Sequence, residues 1–331
     1  MRAMIMAAGV GSRLMPMTRD IPKPMIPMAN RPLLVDNIEL LKAHGFDGII
    51  ANLHYHADVI SGYFGDGHDW GIDLHYSREE HLLGTAGGVK RCQWFLDDTF
   101  VIVSGDALTD IDLAGLVKSH RDNGALATIA LKEVEDVENF GIVITADDGR
   151  IRSFQEKPRP EQALSRVANT GIYVFEPEIF DLIPPEQFYD FGKELFPLLV
   201  SKAAPFYGVT VSGYWCDVGN IGTYRQAHAD ILAGRVKVKT EGKILASAAP
   251  ARVLLGNGVE LGAGVSFSGS VVLGAACSIG AGVHLSDTVI WDNTRVDSGC
   301  RIDKAVIGSR CQIGAGQQLA AGTVLPSQSS I

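Results

Sequence analysis

The stretch Gly9-Val10-Gly11-Ser12-Arg13-Leu14 follows a short apolar run and sets an arginine just past two glycines. Backbone N–H groups in such a turn can approach phosphate oxygens closely, and the guanidinium adds a cation directly behind them. Two common phosphate-binding patterns do not fit. Leu14 stands where a dinucleotide fingerprint would have its third glycine, and the Gly-Lys-Ser/Thr ending of a Walker loop is absent. Read alone, the turn could also be a tight strand exit with Arg13 solvated. Lys23 is framed by Pro22, Pro24 and Pro27, which fix the backbone and hold the lysine stem in a low-entropy conformation. A Pro-rich loop with a solvated lysine is the other reading. Asp106 ends the apolar run FVIVSGD, where a lone aspartate reads as a turn or helix-cap residue. His54 and His56 have the spacing of two residues on one strand face, but without a third nitrogen or sulfur ligand they do not make a metal site.

Positioning these residues falls to two segments with different patterning. Up to about residue 235, the runs AMIMAA, GIIANL, IDLHY, FVIVSGD and ALATIAL read as buried strands, and residues 33–44 and 113–123 have helical periodicity. This βαβα order predicts a mostly parallel sheet covered on both faces, with ligands at the carboxyl ends of its strands. The glycine turn and Gly105-Asp106 both follow strands and are expected to face one crevice. From Val253 the period becomes six: Leu255, Leu261, Phe267, Leu273, Ile279, Leu285 and Trp291 each precede a small or acidic residue, and Val253, Val259, Val265, Val271, Cys277, Val283 and Val289 keep step. The repeat slips by one residue to Val296 and Ile302, and again to Ile307 and Ile313. It resembles the hexapeptide repeat of left-handed parallel β-helices, in which three hexapeptides make one triangular coil. About four coils fit. His284 is the single histidine of this solenoid, which has no extruded loop to build an acyl-transfer site around it. The expected organisation is a first domain at 1–235, a linker at 236–252 and a β-helix at 253–331.

A length of 331 residues suits two domains. With 46% hydrophobic and 20% charged residues the composition is that of a folded soluble protein, and no apolar run approaches a membrane span. The first strand is broken by glycine within ten positions, so no secretory signal is expected. Five scattered cysteines without a CxxC pair point to a reducing compartment, hence a cytoplasmic protein. A net charge of −9 argues against nucleic acid as a partner. The ends of a solenoid favour self-association, so a homo-oligomer is expected.

The segment AAGVGSRLMPMTRDIPKPMIPMANRPLL resembles the signature of the sugar-1-phosphate nucleotidyltransferases. LLGTAGG, VSGDALTDIDL, FGIV, FQEKP, ANTGIYVF and WCDVG continue the resemblance in the family's order, across the whole first domain. Met17-Thr18 replaces the family's Leu-Thr, a volume-conserving change. The resemblance implies a Rossmann-like α/β nucleotidyltransferase domain, and many members carry a left-handed β-helix behind it. It also implies a reaction in which a sugar 1-phosphate oxygen attacks the α-phosphorus of a nucleoside triphosphate and pyrophosphate leaves. The nucleophile is already anionic, so positioning and charge neutralisation do most of the work and no general base is required. Carried over residue by residue, Arg13 would hold the leaving pyrophosphate and Lys23 phosphate oxygens at the reacting centre. Ala8, Gly9, Gly11, Ser12, Arg13, Glu79, Gly84 and Thr85 would line the nucleotide. Gly141, Glu156, Lys157 and Asn169 would take the sugar phosphate, and Asp106 and Asp217 would hold Mg²⁺, a cation suited to hard oxygen ligands shared with phosphates.

Glu79 stands roughly where family members read the base edge. A carboxylate only accepts hydrogen bonds, and guanine offers two adjacent donors where uracil and thymine offer one. This favours GTP, and the motifs GTAGG and FQEKP with a short β-helix look most like the mannose-1-phosphate guanylyltransferases. GDP-mannose formation from GTP and mannose 1-phosphate is the first expectation. Glucose-1-phosphate uridylyl- or thymidylyltransferase activity is the alternative, and an inactive sugar-nucleotide-binding regulatory subunit is an alternative of another class.

Overall fold

The computed structural model describes residues 1–331 apart from Ala249, so the expected linker 236–252 includes one residue outside the described ones. Contacts divide the chain into two compact units, Met1–Gly9 with Asn37–Trp215, and Val10–Asp36 with Cys216–Ile331.

The first unit is built on nine strands, β1 (Arg2–Met6), β2 (Gly48–Leu53), β3 (Asp73–Arg78), β4 (Phe100–Ser104), β5 (Ala127–Glu133), β6 (Gly141–Thr145), β7 (Ile151–Glu156), β8 (Val167–Phe175) and β9 (Phe206–Thr210). Their order is β7-β6-β8-β4-β1-β2-β3, with β5 pairing both β8 and β9. Strands β3, β2, β1 and β4 are parallel. Ala3, Met4 and Ile5, and Phe100 to Val103, are all buried, as expected of strands covered on both faces and of near-continuous apolar runs. The other half of the sheet is mostly antiparallel: β8 opposes β4, β5 and β6, and β7 opposes β6, while β9 runs parallel to β5. The turn between β6 and β7, with Gly149 at φ 82°, is too short for a parallel crossover, so the chain must double back.

The expected helices are α1 (Leu33–Ala43) and α4 (Leu113–Asp122); between them lie α2 (Ala57–Phe64) and α3 (Gly84–Arg91), and α5 (Phe196–Ser201) comes later. Helix α4 starts where the Asp112 side chain accepts from Gly115 N, and it buries Leu113, Leu116, Val117 and His120, one face at helical spacing. Val89 of α3 and Phe196 and Leu199 of α5 share a core cluster with Met4, Ile50 and Ile102 of the sheet.

In the second unit, residues 252–325 wind through three stacks of short parallel strands, the left-handed β-helix that the hexads predict. Register explains the slips in the repeat. Val253 pairs Val271 and Leu285 sits above Phe267, an 18-residue coil, whereas Ile279 pairs Val296 and Leu285 pairs Ile302, a 17-residue coil. Each slip is one residue missing from a turn, so the apolar positions stay stacked: Val271, Leu273, Ile279, Leu285, Val296, Ile302, Ile307 and Ile313 form one buried core. Helix α6 (Ile221–Leu232) opens with an Asn220–Thr223 capping box and packs on this solenoid, where Trp291 Nε1 donates to Tyr224 Oη at 2.9 Å. Among the described residues no helix is long and apolar enough to cross a membrane.

Candidate active site

The second unit gathers three of the expected residues. Gly11 takes the left-handed conformation (φ 68°, ψ 34°) and starts a 3-10 turn, Ser12–Leu14. Its carbonyl accepts from Leu14 N at 3.0 Å and Thr18 Oγ1 at 2.9 Å. A Cβ on Gly11 would fall 2.8 Å from Lys23 Cβ, so glycine is what lets this turn lie against the lysine stem. Lys23 opens a second 3-10 turn, Lys23–Met25, after extended Pro22, and it is buried. Its Nζ lies 3.3 Å from Asp217 Oδ1, and Arg13 Nη2 lies 3.6 Å from Asp217 Oδ2. One carboxylate therefore orients two cations, a buried lysine and an exposed arginine. A Cβ on Gly219 would stand 2.9 Å from Asp217 Oδ2 and 3.1 Å from Arg13 Nη2. The glycine of WCDVG thus makes room for the pair. Such a cluster can present two oriented positive charges to phosphate oxygens.

In the first unit, β1 and β4 are paired to their last residues, Met6 opposite Ser104, and Gly105 N donates to Met6 O at 2.9 Å. Ala8-Gly9 and Asp106 therefore leave adjacent strand ends. Ser104 Oγ donates to Asp106 Oδ1 at 2.5 Å. Gly9 has open space where a Cβ would stand, as a backbone meant to lie against a ligand should.

The structure corrects the expectation for Glu79. This residue is 4% exposed; Oε1 accepts from Asn52 Nδ2 at 2.7 Å and Oε2 from Leu83 N at 3.0 Å. Asn52 Oδ1 in turn accepts from Ala7 N at 2.9 Å. Both carboxylate oxygens serve a chain of hydrogen bonds that ties the end of β1 to the LLGTAGG segment, so Glu79 is not presented to a base edge. Thr85 is likewise engaged: its hydroxyl donates to Asp190 Oδ2 at 3.0 Å and accepts from Phe191 N at 2.8 Å. Gly84, at φ 75°, packs on the Tyr189 backbone, where a Cβ would come 2.6 Å from the carbonyl oxygen. The histidines also differ from expectation. His54 lies beyond β2, with Nδ1 2.8 Å from Glu79 O, and His56 precedes α2 at φ 48°. They do not share a strand face, because the strand ends at Leu53.

Gly141, Glu156 and Asn169 converge on a cavity of about 530 Å³ in the first unit. Gly141 and Glu156 face each other across the β6–β7 ladder. Asn169 is fixed by Gly171 N donating to Oδ1 at 2.9 Å and by Nδ2 donating to Tyr173 Oη at 3.0 Å, which leaves its second N–H for a ligand. Lys157 does not line this cavity. It sits next to it in a left-handed conformation, φ 46°, with Nζ 3.7 Å from Glu156 Oε1. A lysine held at positive φ is strained, and strain of this kind concentrates at working sites. Sequence reasoning missed two further cations, Arg152 and Lys193, that do line the cavity. Lys193 belongs to a π-helical turn, Phe191–Leu195, whose first N–H groups are capped by Asp190. Such turns are frequent at functional sites, but only the backbone shows them.

Among the described residues no group of three or more His, Cys, Asp or Glu side chains is arranged to hold a metal. Asp106 and Asp217 are hard oxygen donors, one in each unit. Hard oxygen donors of this kind are the ligands that Mg²⁺ takes beside water and phosphate oxygens.

The nucleotidyl transferase family model matches residues 2–234. The chain belongs to this family. A second model, the LbH domain of EIF2B subunit epsilon, matches residues 245–331. Among the family's curated proteins, the UTP–glucose-1-phosphate uridylyltransferase of Synechocystis is 47% identical over 251 residues, 72% of this chain and 65% of its own length. The chain thus spans just under two thirds of that relative. The mannose-1-phosphate guanylyltransferase of Mycobacterium tuberculosis is 33% identical over 317 residues, covering 91% of this chain and 83% of its own. The crystal structure of HddC from Yersinia pseudotuberculosis, complexed with GMP-PN, is 26% identical and superposes with a TM-score of 0.60 over 68% of this chain and 97% of that one.

Proposed function

We propose that this chain is a sugar-1-phosphate nucleotidyltransferase that joins a nucleoside triphosphate to a sugar 1-phosphate and releases pyrophosphate. The observation that carries the reading is the pairing of buried Lys23 and exposed Arg13 on the single carboxylate of Asp217. In this reading Arg13 holds the departing pyrophosphate and Lys23 neutralises charge at the α-phosphate, with Ala8, Gly9, Gly11 and Ser12 offering backbone to the triphosphate. Asn169, Glu156 and the Gly141 backbone orient the sugar hydroxyls. Lys157, joined by Lys193 and Arg152, takes the sugar phosphate. Asp106 and Asp217 are the carboxylates for Mg²⁺, which would neutralise triphosphate oxygens when bound. No proton need be removed from the nucleophile, so the residues bind and orient rather than act as bases. The nucleotidyltransferase domain is taken as 1–235 and the β-helix as 253–331, with the solenoid a candidate surface for homo-oligomer formation.

Two substrate pairs are supported by different observations. UTP with glucose 1-phosphate is favoured by the 47% identity to the Synechocystis uridylyltransferase and by the burial of Glu79, which removes the acceptor argument for guanine. GTP with mannose 1-phosphate is favoured by the longer match to the Mycobacterium tuberculosis guanylyltransferase, which extends through both segments. Pyrophosphate release measured over a panel of four nucleoside triphosphates and several sugar 1-phosphates, with Mg²⁺ and then with chelator, separates them. Preference for UTP selects the first pair and preference for GTP the second. No pyrophosphate release with any combination would overturn the enzymatic reading in favour of a regulatory subunit.

A further inference from the structure

Strand β1 ends at Met6, opposite Asn52 of β2, and a side chain carries the pairing one residue further: Asn52 Oδ1 accepts from Ala7 N at 2.9 Å. The other end of this amide donates to Glu79 Oε1 at 2.7 Å, and Glu79 Oε2 accepts from Leu83 N at 3.0 Å. Both side chains are 4% exposed. A backbone N–H on one side and a carboxylate on the other admit a single orientation of the amide, with its oxygen toward Ala7. Two buried side chains thus join two stretches of backbone that are far apart in sequence.

Ala8 and Gly9 follow Ala7 directly, and Gly84 and Thr85 follow Leu83. Helix α3 opens at Leu83 without a side-chain cap of its own, and Glu79 supplies an acceptor there. The backbone of Glu79 is itself anchored to β2, its N–H donating to Leu53 O at 2.8 Å. On α3, a Cβ at Gly88 would stand 2.7 Å from Glu79 Oε1 and 2.9 Å from Asn52 Nδ2, so the bare glycine lets the helix lie against the pair. An amide with one allowed orientation and a carboxylate bonded through both oxygens form a strut of fixed length. Loss of any one of its bonds frees one stretch of backbone from the other.

We infer that Asn52 and Glu79 are positioning residues for the nucleoside triphosphate, setting the separation of the Ala8–Gly9 and Gly84–Thr85 backbones that hold it; this rests on the reading of the chain as a nucleotidyltransferase. Neither side chain acts on the ligand directly, because each is spent on the other and on the main chain. Gly141, Glu156 and Asn169, proposed for the sugar, stand on β6, β7 and β8, so a fault in the strut falls first on the triphosphate.

The test is a reciprocal swap in the full-length protein. Asn52→Asp sets two carboxylates face to face, and Glu79→Gln puts a donor where an oxygen is needed, so each single variant loses a bond of the strut. The double variant restores every bond with the middle one reversed: the new carboxylate accepts from Ala7 N and from the new amide, whose oxygen accepts from Leu83 N. Pyrophosphate release is measured with UTP and GTP against glucose 1-phosphate and mannose 1-phosphate. Each single variant is expected to raise KM for the preferred triphosphate about tenfold or more and KM for the sugar 1-phosphate less than about threefold, and the double variant to return to within about threefold of wild type. Gly88→Ala, which crowds the pair while leaving both residues in place, is expected to raise the triphosphate KM severalfold with its circular dichroism intact, and it decides the matter should a single variant fail to fold. Unchanged triphosphate KM, an equal rise in both KM values, or a double variant no better than the singles overturns the inference. A wild type that releases no pyrophosphate overturns the enzymatic reading instead, and titration of the same proteins with UTP and GTP in Mg²⁺ then replaces KM, with the same pattern required.

Discussion

Gly219→Ala tests whether the Asp217 carboxylate must sit where the structure puts it. The added methyl would stand 2.9 Å from Asp217 Oδ2 and 3.1 Å from Arg13 Nη2, against an ordinary contact of 3.4 Å or more. The oxygen must therefore retreat by about 0.5 Å. Both obstructing atoms are at side-chain ends, and Gly219 has no positive φ that alanine would resist, so the fold should absorb the change within about 0.5 kcal/mol. Catalysis should not absorb it. If a misplacement of about 1 Å costs about a hundredfold, half that displacement predicts roughly a tenfold loss of kcat, or about 1.4 kcal/mol. Asp217→Asn keeps the shape, removes the charge that orients Lys23 and Arg13, and should cost about 10²-fold or more by the same logic. Both variants are assayed by pyrophosphate release with the preferred substrate pair, beside circular dichroism and chemical denaturation. A Gly219→Ala enzyme that keeps more than half of the wild-type turnover would refute the claim that this carboxylate position matters.

Tyr224→Phe should lower stability by about 1–3 kcal/mol, because it strips Trp291 Nε1 of its acceptor and Pro27 O of its donor inside a buried junction; urea unfolding measures it, and an unchanged midpoint counts against the contact. Thiol labelling at pH 8 should modify one cysteine of the native protein, half-buried Cys216, because burial removes the other four and pushes Cys92 up to about 12 and Cys277 to about 11; mass spectrometry after labelling identifies the site, and rapid loss of a second thiol contradicts the packing. Between pH 6.5 and 3 the unfolded chain protonates His228 while the folded one does not. Its contribution is present in full above pH 6.5 and is lost as pH falls, by about 1.4 kcal/mol per pH unit. His228→Gln should flatten the pH dependence of stability by that slope, and equal slopes in wild type and variant rule out a buried neutral histidine.

What the sequence reveals well is whatever repeats or stays local. The hexads define the solenoid down to its 17-residue coils, since a missing turn residue shifts every later apolar position by one. GIIANL, read as a strand from composition, spans β2 as observed. Lys23 stands out because its prolines are adjacent to it. What stays hidden depends on partners far along the chain. Glu79 looks like a base reader until Asn52, 27 residues away, is seen to occupy one of its oxygens. Lys193 and Arg152 join the cavity of Gly141, Glu156 and Asn169 only because a π-helical turn and the β7 edge turn toward the same space. Equally, nothing local places Val10–Asp36 with the β-helix.

That last grouping bears on how the reaction is organised. Arg13 and Lys23, the two cations proposed to neutralise charge, and Asp217, which orients them, all belong to the unit that contains the solenoid. The bonds responsible are specific: Trp291 to Tyr224, Tyr224 to Pro27, Ala29 to His228, and Asn30 Nδ2 to Leu273 O at 3.0 Å. The first ties the β-helix to α6, and the other three run from α6 or the β-helix to the proline-framed segment behind Lys23. Electrostatic catalysis depends on charges that need not reorganise during the reaction, and a lysine on a free loop would be a poor example. Here the loop is anchored to a stack of coils whose own core is buried and closed to water. The β-helix therefore contributes rigidity to the two cations proposed to bind phosphate, whatever role its outer faces play in assembly.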